Sequence, residues 1–249
     1  MSRSILLTGA SGKFGRILTD YFLSNGDVII AICRSEASFN SLQKNHASNE
    51  NFFIFKIDLT SENAILEFIE KIGTWNIQPN CLINNARSAE TLKIQSDGTV
   101  SRDNFMGELL LNVVVPYQLT IFLADKQLLK RVVNIGSMYG TVAATPSLYT
   151  DYITQSPLHY GVTKAALSHL TKELAVRLAY QDIQVNCIAF GGLEGRVDEM
   201  FKQRYATLCP QRRMLVPDDL TGPVDFLLSD ASNGMTGATI PVDGGWTLW

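Results

Sequence analysis

The sequence has 249 residues and a formal net charge of −3; hydrophobic residues make up 46% of it and charged residues 18%. This composition excludes a disordered chain, and the small net charge argues against a general nucleic-acid binder. No stretch approaches the roughly 18 apolar residues of a membrane span, and the N-terminus does not resemble a signal peptide, so we expect a cytoplasmic protein without membrane partners.

Seven short apolar runs predict β-strands, and amphipathic segments of helical length separate them. The strands are expected at 4–8, 27–33, 52–57, 81–84, 131–135, 184–190 and 238–242. The helices are expected at about 13–25, 35–46, 61–72, 101–128, 156–180 and 217–229. Apolar strands that alternate with helices predict an α/β fold, with a parallel sheet covered on both faces in a single domain over 1–249.

The cysteines are scattered along the chain and show no metal-ligand spacing, so no metal site is predicted. They are Cys33, Cys81, Cys187 and Cys209. We expect them to be small buried side chains. If one of the four thiols is reactive, we expect it to be that of Cys209, which lies in a polar segment.

The first strand ends in the glycine-rich turn TGASGKFG over residues 8–15, and a helix follows. The glycines allow a tight turn and a close approach of the backbone to a pyrophosphate, and the helix N-terminus offers N–H groups to an anion. The expected cofactor-binding residues here are Thr8, Gly9, Ser11, Gly12, Lys13, Phe14 and Gly15. A purely structural turn is the alternative.

The end of the second strand indicates which dinucleotide is bound. It carries Arg34 where NAD-binding chains usually carry a carboxylate, and Lys13 is expected to add a second positive charge nearby. We therefore expect NADP(H) to be preferred, with NAD(H) possible; ordinary surface charges are the alternative interpretation. Asp58 and Leu59, after the third strand, are expected at the adenine.

Tyr160 and Lys164 lie four residues apart at the start of a long predicted helix, so they share one face. A nearby ammonium, together with a cationic nicotinamide ring, favours the phenolate, and we expect the two to lower the pKa of Tyr160 enough for proton transfer. Ser137 follows the fifth strand, and Asn85 and Ala86 follow the fourth, at the sheet edge where such folds bind ligands.

Asn112 lies four residues before Pro116 in a predicted helix. Proline has no N–H, so the Asn112 carbonyl is expected to be free to hold a water that could relay protons to Lys164. A proline kink without function is the alternative. His159, next to Tyr160, is expected to have a local structural role.

Together these residues resemble the classical short-chain dehydrogenases/reductases over essentially the whole chain. The resemblance rests on TGASGKFG, Asp58, the NNA triplet at 84–86, the residues above, QVNCIAFGG at 184–192 and TGATIPVDGG at 236–245. It implies a doubly wound Rossmann sheet in the order 3-2-1-4-5-6-7 and a homo-oligomer, a tetramer or dimer. It also implies a catalytic tetrad of Asn112, Ser137, Tyr160 and Lys164, in which Tyr160 is the general acid/base. Further cofactor contacts are implied at Gly191 and Leu193, and at Tyr160 and Lys164 themselves.

Four departures from the family pattern bear on the substrate. The middle glycine of the turn has moved, so that Gly12 precedes Lys13. Arg87 replaces the glycine that follows NNA in the family, and Phe190 and Gly191 stand where the family has a Pro-Gly pair. Tyr160 lies 23 positions after Ser137, about ten more than is typical of the family. The resulting insertion at 138–159 and a lid at about 192–216 are where we expect substrate choice to be determined; an oligomer contact is the alternative role for the insertion.

The insertion, NNAR and the ending VDGGWTLW are similar to the branch found in bacterial flagellin modification and in sialic- or legionaminic-type sugar biosynthesis. We therefore expect carbonyl–alcohol interconversion on a small polar substrate, for which a sugar or sugar nucleotide is the candidate. The expected substrate contacts are Arg87, Ser137, Tyr139 and Tyr160, and Arg196 is a further candidate for an anionic group. A catalytically silent nucleotide sensor or scaffold of the same fold is the alternative function.

Overall fold

The computed structural model describes residues 3–195 and 197–249, and within these ranges seven strands form one parallel sheet. The strands are β1 (Ser4–Thr8), β2 (Val28–Cys33), β3 (Phe52–Lys56), β4 (Cys81–Asn84), β5 (Arg131–Ile135), β6 (Gln184–Phe190) and β7 (Thr239–Val242). Their order is β3-β2-β1-β4-β5-β6-β7, which confirms the order implied by the resemblance. Each predicted strand is present to within a residue at either end.

Helices connect successive strands and cover both faces of the sheet. They are α1 (Lys13–Ser24), α2 (Glu36–His46), α3 (Glu62–Gly73), α4 (Arg102–Leu109), α5 (Val115–Asp125), α6 (Tyr152–Gln155), α7 (Leu158–Leu178), α8 (Glu199–Leu208) and α9 (Asp218–Leu228). Apolar side chains of α1, α2 and α9 pack on one face of the sheet, and those of α3, α5 and α7 pack on the other. Each strand contributes side chains to the apolar core on either face of the sheet, because successive strand side chains point to opposite faces.

Three segments differ from the expected helices, the shortest being α6, which lies in the expected insertion. The expected helix at 101–128 is interrupted by a π-helical turn over Leu110–Val114, close to Pro116, which has no N–H to donate to the carbonyl of Asn112. Helix α8 was not predicted and lies inside the expected lid. Its N-terminus is capped by Asp198, which accepts a hydrogen bond of 2.7 Å from the N–H of Phe201.

The segment from 102 to 125 corrects the expectation that no stretch is apolar enough to span a membrane. By length and composition alone this helical stretch meets that criterion, which core helices also meet. Its residues Val115, Leu119, Leu123 and Ala124 are at most 1% exposed and pack in the core between α3 and α7. Core packing therefore accounts for these four apolar residues of α5.

Candidate active site

The glycine-rich turn brings α1 into direct contact with the end of β1. Gly9 has a φ of +65°, and a Cβ there would lie 2.8 Å from the Cα of Ala86. A Cβ on Gly15 would lie 2.3 Å from the carbonyl oxygen of Gly9, so only glycine allows this approach. No side chain caps the N-terminus of α1 at Gly12, which leaves its first-turn N–H groups available to an anion.

Thr8 and Asn85 fix the backbone beneath this turn. The Thr8 hydroxyl accepts hydrogen bonds from the N–H groups of Asn85 at 2.9 Å and Ala86 at 3.0 Å. The Asn85 side chain donates to the carbonyls of Thr8 at 2.9 Å and Gly9 at 3.1 Å. These four bonds tie the ends of β1 and β4 together and hold the turn in one conformation.

A groove with two cavities runs along the carboxyl ends of the strands on either side of the glycine-rich turn. The outer cavity, about 290 Å³, lies at the ends of β2 and β3 and includes Arg34, Asp58 and Leu59. The inner cavity, about 380 Å³, includes the following residues: Gly9, Ser11, Gly12, Lys13, Phe14, Asn85, Ser137, Tyr139, Tyr160, Lys164, Gly191 and Leu193. Nearly all of the expected cofactor residues therefore line this groove, while Thr8 and Gly15 support it from beneath.

This groove fits an extended dinucleotide. Gly9 and Gly15 are positions where any Cβ would meet backbone atoms. The uncapped start of α1 lines the inner cavity, and Ser11, just before it, lines both cavities. Asp58 accepts hydrogen bonds from the Thr60 N–H at 3.0 Å and hydroxyl at 2.7 Å, and these bonds hold its pKa below the usual value. The outer cavity thus offers Asp58 as a fixed acceptor.

The charges at the outer cavity differ in part from expectation. Arg34 lies there and pairs with Glu90 at 3.3 Å, with 54% and 73% of the two side chains exposed. Lys13 does not join it: its ammonium donates to the carbonyl of Glu194, on the far side of the inner cavity. The expected Lys13–Arg34 pair is therefore wrong, because Lys13 starts α1 and its side chain extends toward the segment after β6.

Tyr160 and Lys164 meet Ser137 at the floor of the inner cavity. The Lys164 ammonium lies 5.8 Å from the Tyr160 ring centroid and donates to the carbonyl of Ile135 at 2.7 Å. Two glycines permit this packing: a Cβ on Gly161 would lie 2.9 Å from the carbonyl oxygen of Tyr139, and one on Gly140 would lie 2.8 Å from the backbone of Lys164. Helix α7 therefore lies directly against the segment that follows Ser137.

Burial controls the titration of both groups. It raises the pKa of Tyr160 above its usual value of 10, and the positive charge of Arg87 and a hydrogen bond with Ser137 oppose this rise. Burial lowers the pKa of Lys164 to about 8. The expected lowering of the Tyr160 pKa, by Lys164 together with a cationic nicotinamide ring, stays a prediction. Among the protein's own groups, burial outweighs the nearby charges, and Arg87 is the cation that favours the phenolate.

Asn112 is 1% exposed and lies behind the floor of the cavity, where α4 and α5 meet α7. Its side-chain N–H₂ group donates to Glu108 at 2.8 Å and to Thr163 at 3.4 Å. The oxygen Oδ1 is buried and has no hydrogen-bond partner among the residues that the structure describes. A buried acceptor of this kind is where an ordered water is expected.

Arg87 lies where the groove meets a third, side cavity of about 540 Å³, which is lined by Tyr139, Tyr152 and Tyr160 among others. Its guanidinium carbon is 5.9 Å from the centroid of the Tyr160 ring. Within residues 3–195 and 197–249 it forms no ion pair. The site thus presents a cation beside the phenol of Tyr160. Arg196, the other candidate for this role, lies outside the described residues.

The insertion and α8 pack on each other through a small apolar cluster. Its buried members are Met138, Leu148, Tyr205, Cys209, Met214 and Trp246. The Tyr205 hydroxyl accepts from the N–H of Gly192 at 3.1 Å, and its ring stacks on Trp246 at 4.4 Å. All four cysteines are buried, as expected, and Cys209 is no exception at 3% exposure.

Several residues that shape the site were not singled out from the sequence. Glu90 reaches Arg34 from the loop after β4, Glu108 binds Asn112, and Tyr205 anchors the segment after β6. The four-residue spacing from Glu108 to Asn112 is the signal that could have revealed that contact. Glu90 and Tyr205 act over long sequence separations and carry no local signal.

The fold and this groove define a nucleotide-dependent oxidoreductase, and comparison with known proteins identifies its family. The family described as Enoyl-(Acyl carrier protein) reductase matches residues 10–247. The chain therefore belongs to the short-chain dehydrogenase/reductase family, whose members are NAD(P)-dependent oxidoreductases.

Individual relatives extend over nearly the full chain. A protein named post-translational flagellin modification protein A, from Campylobacter coli, is 28% identical, with 99% of each chain covered. L-xylulose reductase from Caenorhabditis elegans is 29% identical, covering 98% of this chain and 96% of the relative. A solved short-chain dehydrogenase from Leptospira borgpetersenii with bound NAD+ is 29% identical, with a TM-score of 0.86, 99% of this chain covered and 93% of that chain.

Proposed function

We propose that this protein interconverts a carbonyl and an alcohol on a small, polar, anionic substrate, such as a sugar or sugar nucleotide with a phosphate or carboxylate, and that it prefers NADP(H). The proposal rests on one observation: Tyr160, Ser137 and Arg87 line the same cavity, and this cavity continues into the nucleotide groove. When bound, the nicotinamide cofactor supplies or accepts the hydride.

The protein's own groups handle the proton and the substrate oxygen. In carbonyl reduction the Tyr160 phenol donates a proton to the forming alkoxide, and its raised pKa keeps that proton in place through the neutral range. Ser137 donates a hydrogen bond to the same oxygen. Lys164 holds the cofactor ribose and restores the proton through Asn112 and water, so that these four residues are the catalytic tetrad.

Arg87 and Tyr139 define the substrate class. A guanidinium without an ion-pair partner favours a carboxylate or phosphate, which it can bind through two parallel hydrogen bonds. The Tyr139 hydroxyl lies 3.0 Å from that of Tyr149, and this polar pair beside the side cavity suits a hydroxylated ligand. The sugar reductase and flagellin-modification relatives support a role in carbohydrate biosynthesis.

NADP(H) preference rests on the outer cavity. No carboxylate ends β2, and Glu36, the next candidate, pairs with Lys56 at 2.5 Å. The Arg34–Glu90 pair is exposed and thus weak, so a 2′-phosphate can displace Glu90.

We expect Arg34→Ala to reduce kcat/KM for NADPH about 10-fold and to leave kcat/KM for NADH nearly unchanged. Wild-type turnover with NADH that equals or exceeds NADPH turnover would count against the preference.

We further propose a single-domain, cytoplasmic homo-oligomer, tetramer or dimer, with a substrate lid at about 192–216. Exposed apolar side chains on α5 and α7, among them Tyr117 and Val176, support an assembly through these helices. Light scattering coupled to size exclusion will give the number of copies.

The deciding experiment follows NADPH oxidation across keto-sugars, sugar-nucleotide ketones, keto acids and neutral ketones. Wild-type protein is expected to turn over anionic keto-sugars best. Tyr160→Phe is expected to lower kcat/KM by about 10²–10⁴-fold while NADPH affinity by calorimetry is retained. Full activity of Tyr160→Phe would refute the mechanism, and NADPH binding without turnover of any compound would favour a silent sensor.

A further inference from the structure

Glu90 places a negative charge at the cavity where a cofactor phosphate is expected. It lies in the loop after β4, and its carboxylate pairs with the Arg34 guanidinium at 3.3 Å. Both side chains line the outer cavity, whose charged residues are Arg34, Asp58, Arg87 and Glu90. Of the two cations, Arg34 alone has an ion-pair partner within residues 3–195 and 197–249. A 2′-phosphate at Arg34 must therefore compete with a carboxylate that the protein itself supplies.

The backbone around Glu90 is fixed, although 73% of its side chain is exposed. Its N–H donates to the hydroxyl of Ser88 at 3.1 Å, and Ser88 is buried. On the other side, the carbonyl of Thr91 lies 2.7 Å from Nε2 of the buried His159. A Cβ on Gly107 would lie 2.5 Å from Cγ2 of Thr91, so this loop packs directly on α4. Buried contacts on both sides therefore hold Glu90 at the edge of the outer cavity.

The surroundings of Arg34 suit a phosphate once Glu90 is displaced. Ser35 and Ser38 also line the outer cavity, and their hydroxyl oxygens lie 2.9 Å apart at the N-terminus of α2. Hydroxyl groups, a helix N-terminus and a guanidinium are all groups that bind phosphate oxygens. A carboxylate offers only acceptors, so it binds the guanidinium but repels a phosphate. The Glu90 carboxylate and a 2′-phosphate are therefore alternative partners of Arg34.

The same carboxylate is complementary to a cofactor that has no 2′-phosphate. A ribose hydroxyl donates a hydrogen bond, and NAD-binding folds usually meet it with an Asp or Glu at the end of the second strand. Here β2 ends at Cys33 and Arg34 follows. The next carboxylate along the chain, that of Glu36, is paired with Lys56 at 2.5 Å. Glu90 thus brings to Arg34, from a different strand, the acceptor that the end of β2 lacks.

We propose that Glu90 is a specificity-determining residue of the cofactor site: its carboxylate competes with a 2′-phosphate for Arg34 and accepts the ribose hydroxyl of NAD(H). The proposal rests on the NADP(H) preference proposed above and limits it. Arg34 favours NADP(H), whereas Glu90 reduces the difference and keeps NAD(H) usable. Because the ion pair is exposed, each effect is expected to be within about one order of magnitude.

The first test measures the Kd of NADPH and of NADH by calorimetry on the full chain. Glu90→Gln keeps the shape and a carbonyl acceptor but removes the charge, so the Kd for NADPH should fall about three- to tenfold. The Kd for NADH should stay within about twofold. An unchanged Kd for NADPH in Glu90→Gln would overturn the competition.

Glu70→Gln is the matched control for this measurement. Glu70 lies in α3, is 72% exposed and pairs with Lys126 at 2.8 Å, so its exposure matches that of Glu90. It lines none of the three cavities described above. Both dissociation constants should therefore equal those of the wild type.

The second test asks whether Glu90 acts through Arg34. In the Arg34→Ala background the partner of the carboxylate is gone, so adding Glu90→Gln should no longer tighten NADPH binding. A gain that persists without Arg34 would show that Glu90 acts by its general charge, and the competition would be refuted.

The third test isolates the acceptor role. Glu90→Ala removes the oxygens as well as the charge, so the Kd for NADH should rise about three- to tenfold while the Kd for NADPH still falls. An unchanged Kd for NADH in this variant would show that Glu90 does not bind the ribose hydroxyl.

These binding measurements need no substrate, and they separate the role of Glu90 from the proposed preference. If the wild type binds NADH more tightly than NADPH, yet Glu90→Gln tightens NADPH alone, the preference fails and the role of Glu90 stands. If Arg34→Ala weakens NADPH binding but Glu90→Gln changes neither constant, the preference stands and the role of Glu90 fails.

Discussion

The two halves of the groove are built by different means. The nucleotide end is made of backbone: glycines at 9 and 15, and the hydrogen bonds that join Thr8 to Asn85 and Ala86. The proposed substrate end is made of side chains, with Arg87, Tyr139 and Tyr160 brought together from three separate segments. Backbone positions tolerate no added atoms, whereas side chains can be exchanged. The difference implies that the cofactor end is fixed and that the substrate end is where this enzyme can be altered.

The largest expected effect is at the backbone-built end. Gly15→Ala would place a Cβ 2.3 Å from a carbonyl oxygen, so α1 must move away from β1. We expect a loss of about 3 kcal/mol or more in stability and loss of NADPH binding. Gly234→Ala, between α9 and β7 with open space around its Cβ position and no positive φ, is the control and should raise stability by up to about 1 kcal/mol. Chemical denaturation and calorimetry measure both; a Gly15→Ala protein that binds NADPH normally would contradict the comparison.

An intermediate effect is expected at the side-chain end. Arg87→Met removes the cation and keeps much of the apolar stem, so KM for an anionic substrate should rise about 10–100-fold while NADPH affinity stays within about threefold. Matched neutral and anionic substrates distinguish binding from general damage. Equal losses on both substrates would show that Arg87 does not bind the anion.

The smallest expected effect is the pH dependence of the wild-type protein. The pKa of Lys164 is lowered to about 8, so its positive charge is present below that pH and is lost as the pH rises through it. Tyr160, with its pKa raised, keeps its proton over the same range. Carbonyl reduction should therefore be constant from about pH 6 to 7.5 and decline above about 8. A profile of kcat/KM from pH 5.5 to 10 tests this, and a rise across pH 8 would contradict it.

The features that the sequence predicts correctly follow the same division between backbone and side chains. Strands buried on both faces give long apolar runs, so β1 to β7 and the glycine-rich turn were predictable almost residue by residue. The direction of the Lys13 side chain was not, because it depends on Glu194, far along the chain. Nor was the raised pKa of Tyr160, since burial is a property of the packed molecule and outweighs the local spacing to Lys164. Helix α8 was missed because its residues form a weak apolar stripe, in which the buried Tyr205 packs on the small cluster with Leu148 and Trp246.

The stacking of Tyr205 on Trp246 gives the molecule an optical reporter of its own. The indole of Trp246 is 4% exposed and lies against the base of α8, whereas Trp75 packs with Phe55 at the β3 edge and Trp249 is 80% exposed. Replacing Trp75 and Trp249 with phenylalanine would leave one fluorophore beside the proposed lid. Any displacement of α8 would then change its emission, so lid movement could be timed in stopped flow without an attached dye.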